Sequence, residues 1–90
     1  MDIFVIRLNK LIKENKITRY RLAKELGISK QAVLWWCDGT NEPKISYLQK
    51  LAIFFDVSAD YLLGLEDESG AKTYIRDSFN NFTNNGSIKF

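Results

Sequence analysis

Ninety residues, 46% apolar and 27% charged with a formal charge of +2, suit one globular domain with one modest core and leave no room for a second. Histidine is absent and Cys37 is the single cysteine, so no internal disulfide or His/Cys zinc set can form and the commonest general base is missing. No apolar run nears the roughly 18 to 20 residues that span a bilayer, and Met1 to Arg7 lack the charge and length of a signal peptide, so a cytoplasmic protein with no membrane contact is expected.

From Phe4 to Asn15 the apolar residues Phe4, Leu8, Leu11 and Ile12 recur at helical spacing. Arg7, Lys10, Lys13 and Glu14 fill the other side, which predicts an amphipathic first helix. Thr18 is a good N-cap for a second helix through Leu26, with Leu22, Ala23 and Leu26 inward and Gly27 at its end. Ser29 caps a third helix through Cys37, anchored by Val33 and Trp36. Asp38 to Pro43 is the strongest loop signal in the chain, since its Gly, Asn and Pro favour turns. A fourth helix is expected over Ile45 to Phe55, burying Ile45, Leu48, Leu51, Ala52 and Phe55, and Ser46 with Gln49 has the spacing of a capping box. Ser58 caps a short fifth helix, Ala59 to Leu63, closed by Gly64.

After Leu65 the pattern changes. Residues 66–71 open with Glu66-Asp67-Glu68-Ser69-Gly70, acidic and free of apolar side chains, and read as a linker. In the tail, 72–90, Tyr74, Ile75, Phe79, Phe82, Ile88 and Phe90 are interleaved with asparagines, and Asn85-Gly86 is a hairpin signal. Two readings compete for these side chains: the tail is a dimerisation element that pairs Phe79, Phe82, Ile88 and Phe90 with a second copy across a two-fold axis, or it folds back over helices four and five to cover Phe54, or stays disordered. Splitting the chain after Lys50 exposes a charge asymmetry. Residues 1–50 hold ten basic and five acidic side chains, a net +5; residues 51–90 hold three and six, a net −3. A basic N-terminal half favours a polyanionic partner.

Between Arg19 and Asp38, Ala23, Gly27 and Val33 stand at positions 5, 9 and 15 of a 20-residue window. Two steeply crossing helices need a small residue where they touch, a glycine in the tight turn, and an anchor for the second helix on the first. With Leu22, Leu26, Ile28 and Trp36 inward, this stretch resembles the helix-turn-helix of the phage repressor and Cro-like (XRE) family. The resemblance runs from Arg7 to Leu65 and includes Ile17-Thr18, Gly39 with Pro43, and Val57 to Gly64. It implies an all-α, five-helix repressor-like DNA-binding domain over residues 1–65, to which the tail adds a possible β-hairpin.

In that family the third helix enters the major groove of double-stranded DNA. Carried over by position, the base-reading residues are Lys30, Gln31, Ala32 and Trp35. Gln31 can pair with adenine N6 and N7, and Lys30 can donate to guanine or to a phosphate. The alternative for Lys30 and Gln31 is a plain solvated helix face. For Trp35 it is packing against a loop or a dimer partner. Arg19 replaces the family's usual glutamine at the start of helix two, where, with Thr18, it meets the DNA backbone. Thr40, Asn41 and Lys44 are further phosphate candidates, with ordinary loop polarity as the competing explanation. Ile12 and Cys37 stand where the family often has an arginine and a glutamate, so an apolar pair takes the place of a polar one.

The function implied is a transcriptional repressor acting as a homodimer on a near-palindromic operator, without cofactor or metal. A competing reading, from another class, is an antitoxin-type module whose tail masks a second protein and whose DNA binding is autoregulatory. An enzyme is disfavoured by the missing histidine and by the lack of a phosphate-binding glycine loop.

Overall fold

The computed structural model describes residues 2–72. The hairpin at Asn85-Gly86 and the expected pairing of Phe79, Phe82, Ile88 and Phe90 across a dimer lie outside the described residues. Five helices and no sheet make up the described chain: α1 (Ile3–Glu14), α2 (Arg19–Leu26), α3 (Lys30–Asp38), α4 (Ile45–Phe55) and α5 (Ala59–Leu63).

Four of the five helices begin on a side-chain cap. Asp2 accepts from the Phe4 N–H at 3.0 Å, Thr18 from Arg21 at 2.9 Å, Ser29 from Ala32 at 3.1 Å and Ser58 from Tyr61 at 2.9 Å, each satisfying an otherwise orphaned donor. Helix α4 departs from expectation, because its N-cap is Lys44, which makes no side-chain cap bond, and the Ser46–Gln49 box is not the start. Gly27 ends α2 at φ 73°, and its N–H reaches the Ala23 and Lys24 carbonyls. Gly64 ends α5 at φ 84°, where a Cβ would overlap the Ile3 side chain, so this turn needs glycine both for its dihedral and for the approach of α1.

Each helix contributes one side chain with no exposed surface to a shared core: Leu8, Leu22, Val33, Leu51 and Leu62. Phe4, Val5, Leu11, Ile12, Ala23, Leu26, Trp36, Cys37, Phe55 and Tyr61 complete it. The expected burial of Ile45 is corrected, for it is 85% exposed. It occupies the first turn of α4, where the helix has just left the loop and its inward face is carried further along by Leu51 and Phe55, with Leu48 and Ala52 partly buried.

A second correction concerns Arg7, placed by periodicity on the solvent side of α1. It is buried, its guanidinium donates through Nη1 to the carbonyls of Tyr61 and Glu66, and it lies 4.3 Å from the centre of the Tyr61 ring. The reason is tertiary, since α5 and the chain after it cover that side of α1, and an arginine can satisfy their carbonyls while stacking on a ring.

The acidic segment read as a linker folds back on the domain. Glu66 and Lys72 form an antiparallel bridge. Asp67 closes the turn between them by accepting from the Ser69 and Ala71 N–H groups at 2.8 and 3.0 Å. Glu68 accepts from the Tyr61 hydroxyl at 2.9 Å and pairs with Lys10 at 2.8 Å, while Lys72 pairs with Asp60 and Glu66. No helix among the described residues is long and apolar enough to cross a membrane.

Candidate nucleic-acid interface

Helices α2 and α3 cross over Ala23, which is 2% exposed, and are locked by Val33, Leu22, Leu26 and Trp36, with Ile28 partly buried in the turn. Because α3 is anchored through Val33, Trp36 and Cys37, its other face is left outward. Lys30, Gln31 and Trp35 lie on that face and are exposed, whereas Ala32 and Leu34 are half-buried. The two adjacent tryptophans are separated by the helical twist. Trp36 is 5% exposed and sits 5.8 Å, ring centre to ring centre, from Tyr47; Trp35 is 40% exposed.

At the start of α2, the Thr18 hydroxyl is committed as an acceptor to its cap, which leaves its O–H to donate. Arg19 is exposed and donates through Nη2 to Asn9 Oδ1 at 3.2 Å. The Asn9 amide donates in turn to the carbonyls of Val5 and Cys37, both at 2.9 Å, and so ties α1 to the end of α3. Burial pushes the Cys37 thiol above its ordinary value, with a hydrogen bond from Arg19 opposing that rise. A thiol held protonated and 7% exposed is a core residue and a poor nucleophile.

An open depression joins these elements. Asn9, Ile12, Lys13, Ile17, Thr18, Arg19, Tyr20, Lys30 and Leu34 line it, so three cations and no carboxylate border it. Thr18, Arg19 and Lys30 are thus brought together, whereas Gln31, Ala32, Trp35, Thr40, Asn41 and Lys44 are not among its lining. After α3, the Thr40 and Asn41 N–H groups both reach the Trp35 carbonyl, at 2.9 and 3.3 Å. Thr40 N–H also meets Asp38 Oδ1 at 2.8 Å, and hydrogen bonds from Thr40 hold the Asp38 carboxyl below its ordinary value. Those backbone donors are used internally and the Thr40 hydroxyl is also turned to Asp38, so that the exposed Asn41 side chain is the freer of the two to meet a phosphate. Lys44 is exposed at the head of α4.

Sequence reasoning missed Asn9, Lys13 and Tyr20. Lys13 was legible as a charge on the outer side of α1, and Tyr20, 62% exposed, as an aromatic out of phase with Leu22 and Leu26. Asn9 carried no signal, since its role depends on three groups far apart in the chain. Among the described residues no group of three His, Cys, Asp or Glu side chains could hold a metal ion.

Two short helices crossing at a glycine turn, the second with its outer face bare, define a helix-turn-helix domain. A family model described as Helix-turn-helix matches residues 8–62, and the chain belongs to this family, in its Cro/C1 (XRE) type. It is similar to two uncharacterized HTH-type transcriptional regulators of Bacillus subtilis: YobD, 38% identical over 66 residues, and YqaE, 35% identical over 71. These matches cover 73% and 79% of this chain but 59% and 60% of the relatives, so the chain spans about three-fifths of the length of the curated relatives it matches. Among solved structures, the SOS-response transcriptional repressor LexA from Eubacterium rectale is 30% identical with a TM-score of 0.68, over 81% of this chain and 76% of that one. A transcriptional regulator from Listeria innocua, 24% identical with a TM-score of 0.66 over 97% and 78% of the two chains, shares the fold.

Proposed function

We propose that this protein is a sequence-specific DNA-binding transcriptional regulator that acts in the cytoplasm as a repressor, occupying a near-palindromic operator as a homodimer. The observation that carries the reading is the outer face of α3, where Lys30, Gln31 and Trp35 stand exposed opposite the Val33 and Trp36 anchor. With α3 in the major groove, Gln31 reads adenine, Lys30 reads guanine or holds a phosphate, Ala32 lies close to the bases, and Trp35 covers thymine methyls or sugars. Thr18 and Arg19 meet the DNA backbone at the head of α2, joined by Lys13 from the same depression and by Thr40, Asn41 and Lys44 after α3. Each subunit reads one half-site, and occupation of the paired site excludes the transcription machinery.

Selection of bound sequences from a random duplex pool, followed by affinity measurements across salt concentrations, tests this. A repeated motif with dyad symmetry is expected, with affinity falling steeply as salt rises. Arg19→Ala should weaken binding to all sequences alike and flatten the logarithmic salt dependence by about 0.9 per lost phosphate contact. A pool that yields no motif, together with affinity indifferent to salt, rules the reading out.

A further inference from the structure

Arg19 begins α2 with a long side chain whose exposed surroundings would otherwise leave it many rotamers. The Asn9 side chain of α1 reduces that freedom, and the Cys37 thiol of α3 lies beside the same guanidinium. Asn9 Nδ2 donates to Val5 O and Cys37 O, both at 2.9 Å, and these two bonds fix which way the amide faces. With both donors spent on carbonyls, Oδ1 is turned toward Arg19 and accepts from Nη2 at 3.2 Å. A flipped amide would set Oδ1 against the carbonyls, so the orientation is dictated by the acceptors and not by Arg19. The same residue therefore touches the last turn of α3, through Cys37, and the guanidinium at the head of α2.

We infer that Asn9 is a positioning residue for DNA binding: it holds the Arg19 guanidinium at a set place relative to the reading helix α3, before DNA arrives. The inference rests on the reading of Arg19 as a phosphate contact. The bond to Asn9 and the contact with the Cys37 thiol leave most of the five guanidinium N–H groups available to an anion. Immobilising a rotamer-rich side chain in advance spares that cost on binding, an advantage of about three- to tenfold in affinity. Since Asn9 carries no charge, its contribution is to geometry and leaves the number of cations unchanged.

A double-mutant cycle on the full chain tests this, with affinity for the selected duplex measured for the parent, Asn9→Ala, Arg19→Ala and the double variant. Asn9→Ala should weaken binding about three- to tenfold when Arg19 is present and have no effect in the Arg19→Ala background. The free Asn9→Ala protein should also show the Arg19 side-chain Nε–H resonance collapsed toward its solvent-averaged position. Asn9→Ser repeats the cycle if the alanine variant folds poorly, because a serine hydroxyl can still donate to the carbonyl four residues back while falling short of Arg19. If Arg19→Ala leaves affinity unchanged, the phosphate reading of Arg19 fails and positioning fails with it. If Arg19→Ala weakens binding but the Asn9 variants do so equally with and without Arg19, the phosphate reading stands and the positioning role is overturned.

Discussion

At the residue scale, Gln31 and Lys16 show two ways in which a single side chain matters. Gln31 is exposed on the outer face of α3, where its amide can both donate and accept, the pattern that adenine presents in the major groove. Gln31→Ala should change the preferred base at one position per half-site, costing about 1 to 3 kcal/mol for the original base and little for the others. Equal loss for every base at that position, measured by competition among duplexes, would show that Gln31 does not read sequence. Lys16 matters through its backbone. It follows α1 at φ 54°, left-handed without being glycine, which costs an L-residue about 1 to 2 kcal/mol. Glycine recovers that strain and gives back part of it as unfolded-chain freedom. Lys16→Gly should therefore stabilise the fold by about 0.5 to 1 kcal/mol in urea unfolding, and a midpoint that stays put or falls refutes the strain argument.

Among the elements, α1 does more than pack. Its apolar side, Phe4, Val5, Leu8, Leu11 and Ile12, closes the core chiefly against α3 and α5. Its other side receives the returning segment 66–72 through Arg7 and Lys10. The Arg7 bond to the Glu66 carbonyl does not titrate, but the carboxylate contacts of the segment do. Glu66 is held below its ordinary 4.5 by Ser58 and then Lys72, Asp67 below 3.8 by Ser69 and then Ala71, and Glu68 below 4.5 by Lys10 and then Tyr61. Carboxyls depressed in the folded state stabilise it fully above their unfolded values, and that contribution is lost as the pH falls through the lower, folded ones. The segment should stay docked from neutral pH down through about 5 and release below about pH 4, while the five-helix core stays intact. The Tyr61 ring and Ser69 amide resonances, followed through acid, report the release. Shifts that move in step with Leu22 and Val33 would mean that the whole domain, and not the segment, is what titrates.

At the scale of the whole molecule, the proposed homodimer needs an element that holds two copies together. In the tail, 72–90, Tyr74, Ile75, Phe79, Phe82, Ile88 and Phe90 supply more large apolar side chains than so short a segment can bury alone, and a lone two-stranded hairpin is marginal in water. We propose that this segment pairs with its own copy across a two-fold axis, which would answer both needs and would set two recognition helices about 34 Å apart, one turn of DNA. A chain ending at Thr73 keeps the Lys72 bridge to Glu66 and Asp60, so it removes the tail without undoing the docked turn. It should be a monomer at low micromolar concentration and bind the operator more weakly, with the loss concentrated on paired sites over single half-sites. If sedimentation still finds a dimer, the tail is not the dimerisation element.

Several features were legible in the sequence because they depend on neighbours in the chain. Thr18, Ser29 and Ser58 cap their helices through an N–H three residues on, Gly27 and Gly64 end theirs by adopting a dihedral few residues tolerate, and the spacing of Ala23, Gly27 and Val33 encodes a crossing of two helices. The outward placement of Lys30, Gln31 and Trp35 follows from the same helical period. Tertiary structure alone decided what depends on groups remote in sequence. Arg7 is buried because α5 returns across α1, and Ile45 is exposed because the first turn of α4 meets the core through Tyr47 and Leu48 instead. The acidic run 66–70 is docked because Lys10, Tyr61 and Lys72 meet it, and Asn9 joins α1, α2 and α3 because Val5, Cys37 and Arg19 converge on one amide. Local periodicity reports which side of a helix is apolar, but a polar side chain is placed by its partners, and only the folded chain brings those together.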